Sequence, residues 1–243
     1  NKSDENINYE NYYLGKATTP IKLKINFDKN LCYLLGWYLG DGSPSKGKKN
    51  PYRYSLSLGT DKKHYLIKIV NAIKRSLGVN VILDKKEDDN CLVVHFNSYT
   101  FGKFLECVGL AGKKAPNKFV PNAIFNLKRD LQIEFLKGLI QSDGFAFVGK
   151  SRRRYDKPIC GHSTTSKKLM EGIVFLYRQL GLLPSVIRSK NKDHYYKDVL
   201  IKSNYDTYNI LIGSIEQLKK AKPIWQDHKN NKALGKFINK ATR

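Results

Sequence analysis

The chain has 243 residues and carries 44 Lys and Arg against 21 Asp and Glu, a formal charge of +23 with a pI near 9.8. That length fits one large domain or two of ordinary size, and 41% hydrophobic residues are enough for a core. So large a basic surplus calls for a polyanion, nucleic acid first and an anionic membrane second; no apolar run reaches the roughly 18 residues of a membrane span and the N-terminus is not signal-like, which argues against a membrane protein.

Four scattered cysteines, Cys32, Cys91, Cys107 and Cys160, form no C-x-x-C pair and no cluster with histidine. A zinc site is not expected on that spacing, and reduced thiols in an intracellular setting are expected, with the compartment left open. Cys32 and Cys91 read as small core residues.

Residues 1–30 are polar and Tyr-rich and read as an arm or linker, with one strand expected at Ile21–Phe27, where apolar and polar residues alternate. An apolar helical run then ends Leu34-Leu35-Gly36-Trp37-Tyr38-Leu39-Gly40-Asp41-Gly42. After it come a basic loop (Lys46, Lys48, Lys49) and a strand from Tyr52 to Gly59, with Tyr54, Leu56 and Leu58 on one face and Arg53, Ser55 and Ser57 on the other. A helix from about Asp61 to Leu77 stops at Gly78, and two apolar runs, Val79–Leu83 and Cys91–Phe96, flank an acidic turn at Glu87–Asn90 and read as a hairpin. A short helix near Phe101–Val108 follows.

The plan then repeats. Leu136-Lys137-Gly138-Leu139-Ile140-Gln141-Ser142-Asp143-Gly144 restates the first motif 102 residues later. Strands are expected at Phe145–Val148 and Pro158–Ser163 around a basic loop of Lys150, Arg152, Arg153 and Arg154. A helix from Ser166 to Leu180 ends at Gly181. Val186–Arg188 and Val199–Lys202 flank a polar turn containing Lys190 and Lys192, and a helix is expected near Tyr205–Ile215. The fold class is α+β: tandem pseudo-twofold α-β-β-α-β-β-α repeats, with the two motif helices packed at the interface and a four-stranded saddle in each half. The halves span residues 31–130 and 131–243, the latter with a basic tail. A third correspondence joins Lys118-Phe119-Val120-Pro121 to Lys220-Ala221-Lys222-Pro223, again 102 residues apart.

Glycine at the same place in both motif helices lets backbones approach closely, so that Asp41 and Asp143 would meet at the helix tips. Two close carboxylates repel, and one holds its proton unless a cation intervenes. Mg²⁺ suits an oxygen-only set of this kind, with the backbone carbonyls of Gly40 and Ser142 as further donors. Such a metal activates water and offsets charge in phosphodiester hydrolysis. Lys118 and Lys220 are candidates to stabilise that charge or order the water. No Ser-His-Asp or Cys-His set points to covalent catalysis. The saddles match the major groove of double-stranded DNA. Arg53, Ser55, Ser57, Arg152, Arg153, Arg154 and His162 are candidate base readers. Lys46, Lys48, Lys49, Lys150, Arg188, Lys190 and Lys192, with the tail lysines Lys229, Lys232, Lys236 and Lys240, are expected mainly on phosphate.

The paired motifs resemble those of the LAGLIDADG homing endonucleases, the second copy closely and the first more loosely, over residues 31 to 225. The resemblance implies a monomer that cuts a long DNA site at two metal-supported centres, one per strand. It also implies Asp41 and Asp143 as the metal-binding acids, with two or three Mg²⁺ per complex and Mn²⁺ able to substitute. Lys118-Phe119-Val120-Pro121 is similar to a segment of intein-borne members. With no starting Cys or Ser and no terminal His-Asn, an isolated endonuclease domain, of intein or intron origin, is the expectation. Two other classes are open: a maturase that binds group I intron RNA, and a non-cleaving DNA-binding regulator.

Overall fold

The computed structural model describes residues 25–44, 52–86, 91–150, 156–190, 194–196, 199–201 and 204–241. Helices α1 (Lys29–Asp41) and α5 (Arg129–Asp143) pack against each other along the middle of the molecule. Asp28 caps α1, its side chain accepting the Leu31 N–H at 2.7 Å, which fixes the start of the helix. Every residue from Leu31 to Leu39 is buried, as are Phe135 to Ser142 on α5. A helix apolar all round has no solvent face to offer and belongs at the centre of a fold.

The crossing is tight enough to exclude side chains. A Cβ on Gly36 would lie 2.1 Å from the Phe135 carbonyl oxygen, and one on Gly138 would lie 2.2 Å from that of Tyr33. Just below, the Tyr33 hydroxyl donates to Gln141 Oε1 at 2.6 Å in a buried bond between the helices.

Each half then adds a four-stranded antiparallel sheet. In the first, β1 (Gly42–Pro44), β2 (Arg53–Gly59), β3 (Val81–Lys86) and β4 (Cys91–Asn97) lie in the order β1-β2-β4-β3. In the second, β5 (Gly144–Lys150), β6 (Asp156–Thr164), β7 (Ser185–Ser189) and a strand at Thr207–Ile212 lie in the order β5-β6-Thr207–Ile212-β7. Between the last two, β8 (His194–Tyr196) and β9 (Val199–Ile201) form a separate ribbon, so the Thr207–Ile212 strand is β10. Helices α2 (Leu66–Leu77), α3 (Tyr99–Cys107), α4 (Asn122–Phe125), α6 (Lys167–Gln179), α7 (Ile215–Lys220), α8 (Lys222–Trp225) and α9 (Asn231–Lys240) complete the chain. The alternation expected in β2 is observed: Tyr54, Leu56 and Leu58 are buried, while Ser55 faces Ser43 across the strand pair at 2.9 Å between hydroxyls.

Four expectations are corrected. The segment Tyr205–Ile215 is not a helix, since Thr207–Ile212 forms the third strand across the second sheet. Tyr208, Ile210 and Ile212 alternate with Thr207, Asn209 and Leu211, a period of two rich in β-branched and aromatic residues, and pairing with β6 and β7 settles it. Val199–Ile201 pairs with His194–Tyr196 rather than with Val186–Arg188. The helix expected from Asp61 begins as a 3-10 turn over Thr60–Tyr65, with α2 proper starting at Leu66. Ile25 and Phe27 lie in no strand but are partly buried against the core, and the rest of the expected Ile21–Phe27 strand falls outside the described residues. The glycine stops hold, with Gly78 at φ +68° and Gly181 at φ +74°. All four cysteines are free thiols, Cys91 only half-buried. Among the described residues no helix is long and apolar enough to cross a membrane.

The crossing generates a prediction. Gly36→Ala should push the helices apart and cost about 2–3 kcal/mol in a urea unfolding curve, because the methyl meets backbone and cannot be accommodated by a rotamer change. Gly235→Ala, on α9 with nothing within 4 Å, should instead stabilise by about 0.5–1 kcal/mol.

Candidate active site

The two helices reach the same point because they cross at matching glycines and end at matching positions. At that end a Cβ on Gly40 would fall 2.7 Å from Ser142 Cβ and 3.4 Å from Asp143 Cβ. The first motif is therefore pressed against the second up to its last turn, and Asp41 and Asp143 stand beside each other. Both chains then turn straight into a strand, Gly42 opening β1 and Gly144 opening β5. The N–H of each glycine donates back to its helix, to the carbonyls of Tyr38 and Ile140.

Burial, and then the neighbouring Asp143 carboxylate, push the Asp41 carboxyl up to about 6. Lys62 opposes this, its Nζ lying 2.7 Å from Asp41 Oδ2. Lys62 sits on the 3-10 turn after β2 and was not singled out in the sequence. A Lys that follows a strand carries no signal until the strand is known to end beside the acid.

Lys118 is buried, and its Nζ donates to the carbonyls of Tyr38 (3.0 Å), Leu39 (2.9 Å), Gly40 (3.3 Å) and Gly42 (3.0 Å). Its ammonium thus caps the C-terminal end of α1, where carbonyls lack helical partners. Burial pulls the ammonium down to about 8 against the attraction of Asp143 and Asp41. The Lys118 carbonyl is held in turn by the Ser166 hydroxyl at 2.6 Å. Beside it, Asp143, His162, Leu39, Gly40 and Thr164 line a cleft of about 330 Å³.

His162 is a correction. It is 1% exposed and pairs with Gly144 across the β5–β6 ladder, on the inward face with Cys160. Burial pushes its imidazole down to about 4, despite the pull of Asp143. It cannot read bases; one step along, Ser163 faces outward with Asn209, their side chains 2.6 Å apart. A single-residue step reverses a strand's face.

Lys220 is the second correction. It lies on the surface of α7, paired with Glu216 at 2.8 Å. The ribbon β8–β9 breaks the repeat ahead of it: Ser98 and Ser214, the N-caps of α3 and α7, are 116 residues apart, not 102. The shared spacing of the two Lys-x-x-Pro segments therefore does not make them structural equivalents.

Among the other candidates, Arg53, Ser55 and Ser57 lie on the outward face of the first sheet with Asn97 and His95. Lys150 is exposed and paired with Asp156, and Lys190 is exposed. Arg188 is bound to Asp206 at 2.6 Å and shares its ladder position with Tyr208, on the face opposite Asn209. Lys229 is paired with Asp61, while Lys232, Lys236 and Lys240 ride on α9. Lys46, Lys48, Lys49, Arg152, Arg153, Arg154 and Lys192 lie outside the described residues.

The profile described as a LAGLIDADG-like domain matches residues 130–221. Among solved structures, I-DmoI in complex with DNA and Mn superposes with a TM-score of 0.52 at 16% identity, over 84% of this chain and 99% of that one. The I-LtrWI LAGLIDADG homing endonuclease bound to target DNA superposes with a TM-score of 0.52 at 13% identity, over 89% of this chain and 92% of that one. The chain has the fold of these two structures, and its second half matches the LAGLIDADG-like profile. In sequence it is 30% identical over 227 residues to the uncharacterized protein MJ1054 of Methanocaldococcus jannaschii, covering 89% of this chain but 23% of that protein.

Asp41 and Asp143 fit a hard divalent cation. Two carboxylates held together, one of them pushed up by burial and then by the other, present a deficit of positive charge. Carbonyl oxygens at the two helix ends add the oxygen donors such ions prefer. Among the described residues no group of three or more His, Cys, Asp and Glu side chains is placed to bind a metal, so the set is two acids plus backbone.

A pH dependence follows. Asp41 ionises near 6 in the folded chain against 3.8 ordinarily, so folding favours its protonated form. That contribution is full below about pH 4 and is lost as pH rises through about 6, at most about 2–3 kcal/mol by pH 7. In chelator, Asp41→Asn should melt higher than the parent chain at pH 7 and about level with it at pH 4, as read by calorimetry; Mg²⁺ should raise the parent's melting temperature and not the variant's.

Proposed function

We propose that this chain is a LAGLIDADG homing endonuclease, a site-specific, divalent-metal-dependent enzyme that hydrolyses one phosphodiester on each strand of a long DNA target. One observation carries the reading: two acids from separate halves meet at one point, at the tips of helices that each run into a sheet with a polar outward face. Bound Mg²⁺ or Mn²⁺ would lower the pKa of water and offset negative charge on the phosphoryl and leaving oxygens. The residues of the chain do the rest. Asp41 and Asp143 would hold the ions, with the carbonyls of Gly40 and Ser142 beside them. Lys62 keeps the Asp41 carboxylate in place, and Lys118 fixes the end of the helix that carries it. The outward rows of the two sheets, Arg53, Ser55 and Ser57 in one and Lys157, Ser163 and Asn209 in the other, lie in the major groove, where donors and acceptors distinguish all four base pairs. The surplus charge of +23 supplies sequence-independent affinity for phosphate.

The test is incubation with a randomised duplex library in Mg²⁺, with recovery and sequencing of cleaved ends. Defined ends on both strands are expected. Asp41→Asn and Asp143→Asn should each lower cutting of the recovered site by at least about 100-fold and leave its binding in Ca²⁺ nearly unchanged. Full cleavage by both variants would remove the acids from the chemistry. Binding of structured intron RNA in preference to the duplex, indifferent to both substitutions, would establish the maturase instead.

A further inference from the structure

Two lysines stand beside the acids, and they are held in opposite ways. Lys118 is buried, and its ammonium is committed to four carbonyls at the end of α1. Among the described residues Lys62 is committed to a single atom. Its Nζ lies 2.7 Å from Asp41 Oδ2 at the edge of solvent, the two side chains being 19% and 18% exposed. The backbone beneath Lys62 is fixed. It belongs to the 3-10 turn Thr60–Tyr65, which is fastened at its end. The Tyr65 ring is buried 5.7 Å from that of Trp37 on α1; its hydroxyl donates to the Asp227 carbonyl at 3.1 Å and accepts the Lys229 N–H at 2.7 Å. Asp61, next to Lys62, is ion-paired with Lys229. With its turn anchored and a four-carbon stem above it, the ammonium can leave Asp41 by side-chain rotation alone.

The second half has no such arrangement. β6 ends at Thr164, and Ser166 caps α6 directly, its hydroxyl accepting the Leu169 N–H at 3.2 Å. The lysines that follow are engaged elsewhere: Lys167 pairs with Glu171, and Lys168 lines a groove with Phe125 and Phe175. Among the described residues no Lys or Arg is ion-paired with Asp143. One movable ammonium therefore serves the acid pair, from the Asp41 side.

An ammonium and a divalent cation are alternatives on one carboxylate. Even an ion that took the other oxygen of Asp41 would lie close to the Lys62 charge and be repelled by it, more strongly in a partly buried site than in water. Placing a cation there displaces Lys62 and leaves its ammonium without an anion. A phosphate of bound duplex supplies one.

We propose that Lys62 is a resident counter-ion that weakens divalent-cation binding to the acid pair in the DNA-free chain, and that duplex phosphate draws it away, so that cation and DNA are taken up together. The coupling to DNA rests on the nuclease reading; the competition for Asp41 rests on the contacts above alone.

Titration of the full chain with Mn²⁺, followed by the electron paramagnetic resonance of the free ion, decides it, and its first arm needs no DNA. Lys62→Met should tighten Mn²⁺ binding by the DNA-free chain by about 10-fold or more, while Lys62→Arg, which keeps the charge, should stay within about 3-fold of the parent. In an Asp41→Asn background Lys62→Met should change nothing, because the carboxylate it guards is gone. The second arm adds the recovered target, made uncleavable by sulfur at both scissile bridging positions. There the gap between parent and Lys62→Met should close to about 3-fold or less. Unchanged or weaker Mn²⁺ binding by DNA-free Lys62→Met, or tightening that survives in the Asp41→Asn chain, overturns the competition. A gap that persists undiminished on the duplex overturns the coupling. Should the parent chain cut nothing, the nuclease reading falls, and the DNA-free titration alone decides whether Lys62 guards Asp41.

Discussion

The contact between α1 and α5 governs everything else in this molecule. Two backbones approach until neither glycine has room for a methyl group, and the approach is maintained for more than a helical turn, from Gly36 against Phe135 to Gly40 against Ser142. Both sheets take their position from it, because each begins at the residue after the helix ends. The acids are consequently placed by the core itself and not by a loop. Their separation is as rigid as the packing of a buried helix pair, which is the kind of support a metal site needs.

That rigidity has an electrostatic consequence. Carboxylates confined side by side cannot relax by moving apart, so the charge conflict must be met by a proton or a cation. Lys62 meets it in part, on the Asp41 side. Lys118 lies near both acids, but its ammonium is committed to four carbonyls. The uncompensated remainder is what a divalent ion would take up, and it is also what makes the folded chain less tolerant of a second negative charge. A cation bound there would therefore stabilise the folded chain.

Much of this was legible in the sequence, for identifiable reasons. The motif pair was visible because glycine in a buried helix and Asp-Gly at its end have specific physical uses. The polar face of β2 was visible because Tyr54, Leu56 and Leu58 are all large and apolar. Elements with one clear period emerged nearly in place, as did stops at positive-φ glycine. Errors arose where position depended on distant partners. Thr207–Ile212 carries both strand-like residues and a plausible helical stripe, and only β6 and β7 on either side select the strand. Lys220 was drawn in by spacing, which an inserted ribbon had already shifted. His162 was assigned outward although Pro158, Cys160 and His162 share one parity. Lys62 gave no signal at all, since its role depends on where a turn comes to rest.

The bases around the acids show what duplication preserves and what it leaves free. The backbone skeleton of the site repeats closely: glycine crossing, aspartate, glycine, strand. The groups that hold that skeleton do not. Lys118 approaches from the loop before α4 and caps the α1 end, whereas Lys220, its match by sequence spacing, lies on the surface of α7 paired with Glu216. A cation with three donors can satisfy several carbonyls together. The α1 end is therefore gathered by one side chain that the sequence repeat does not supply again. Two helix ends of the same backbone design thus stand on supports of different construction, so substitutions in one support need not be felt equally by both.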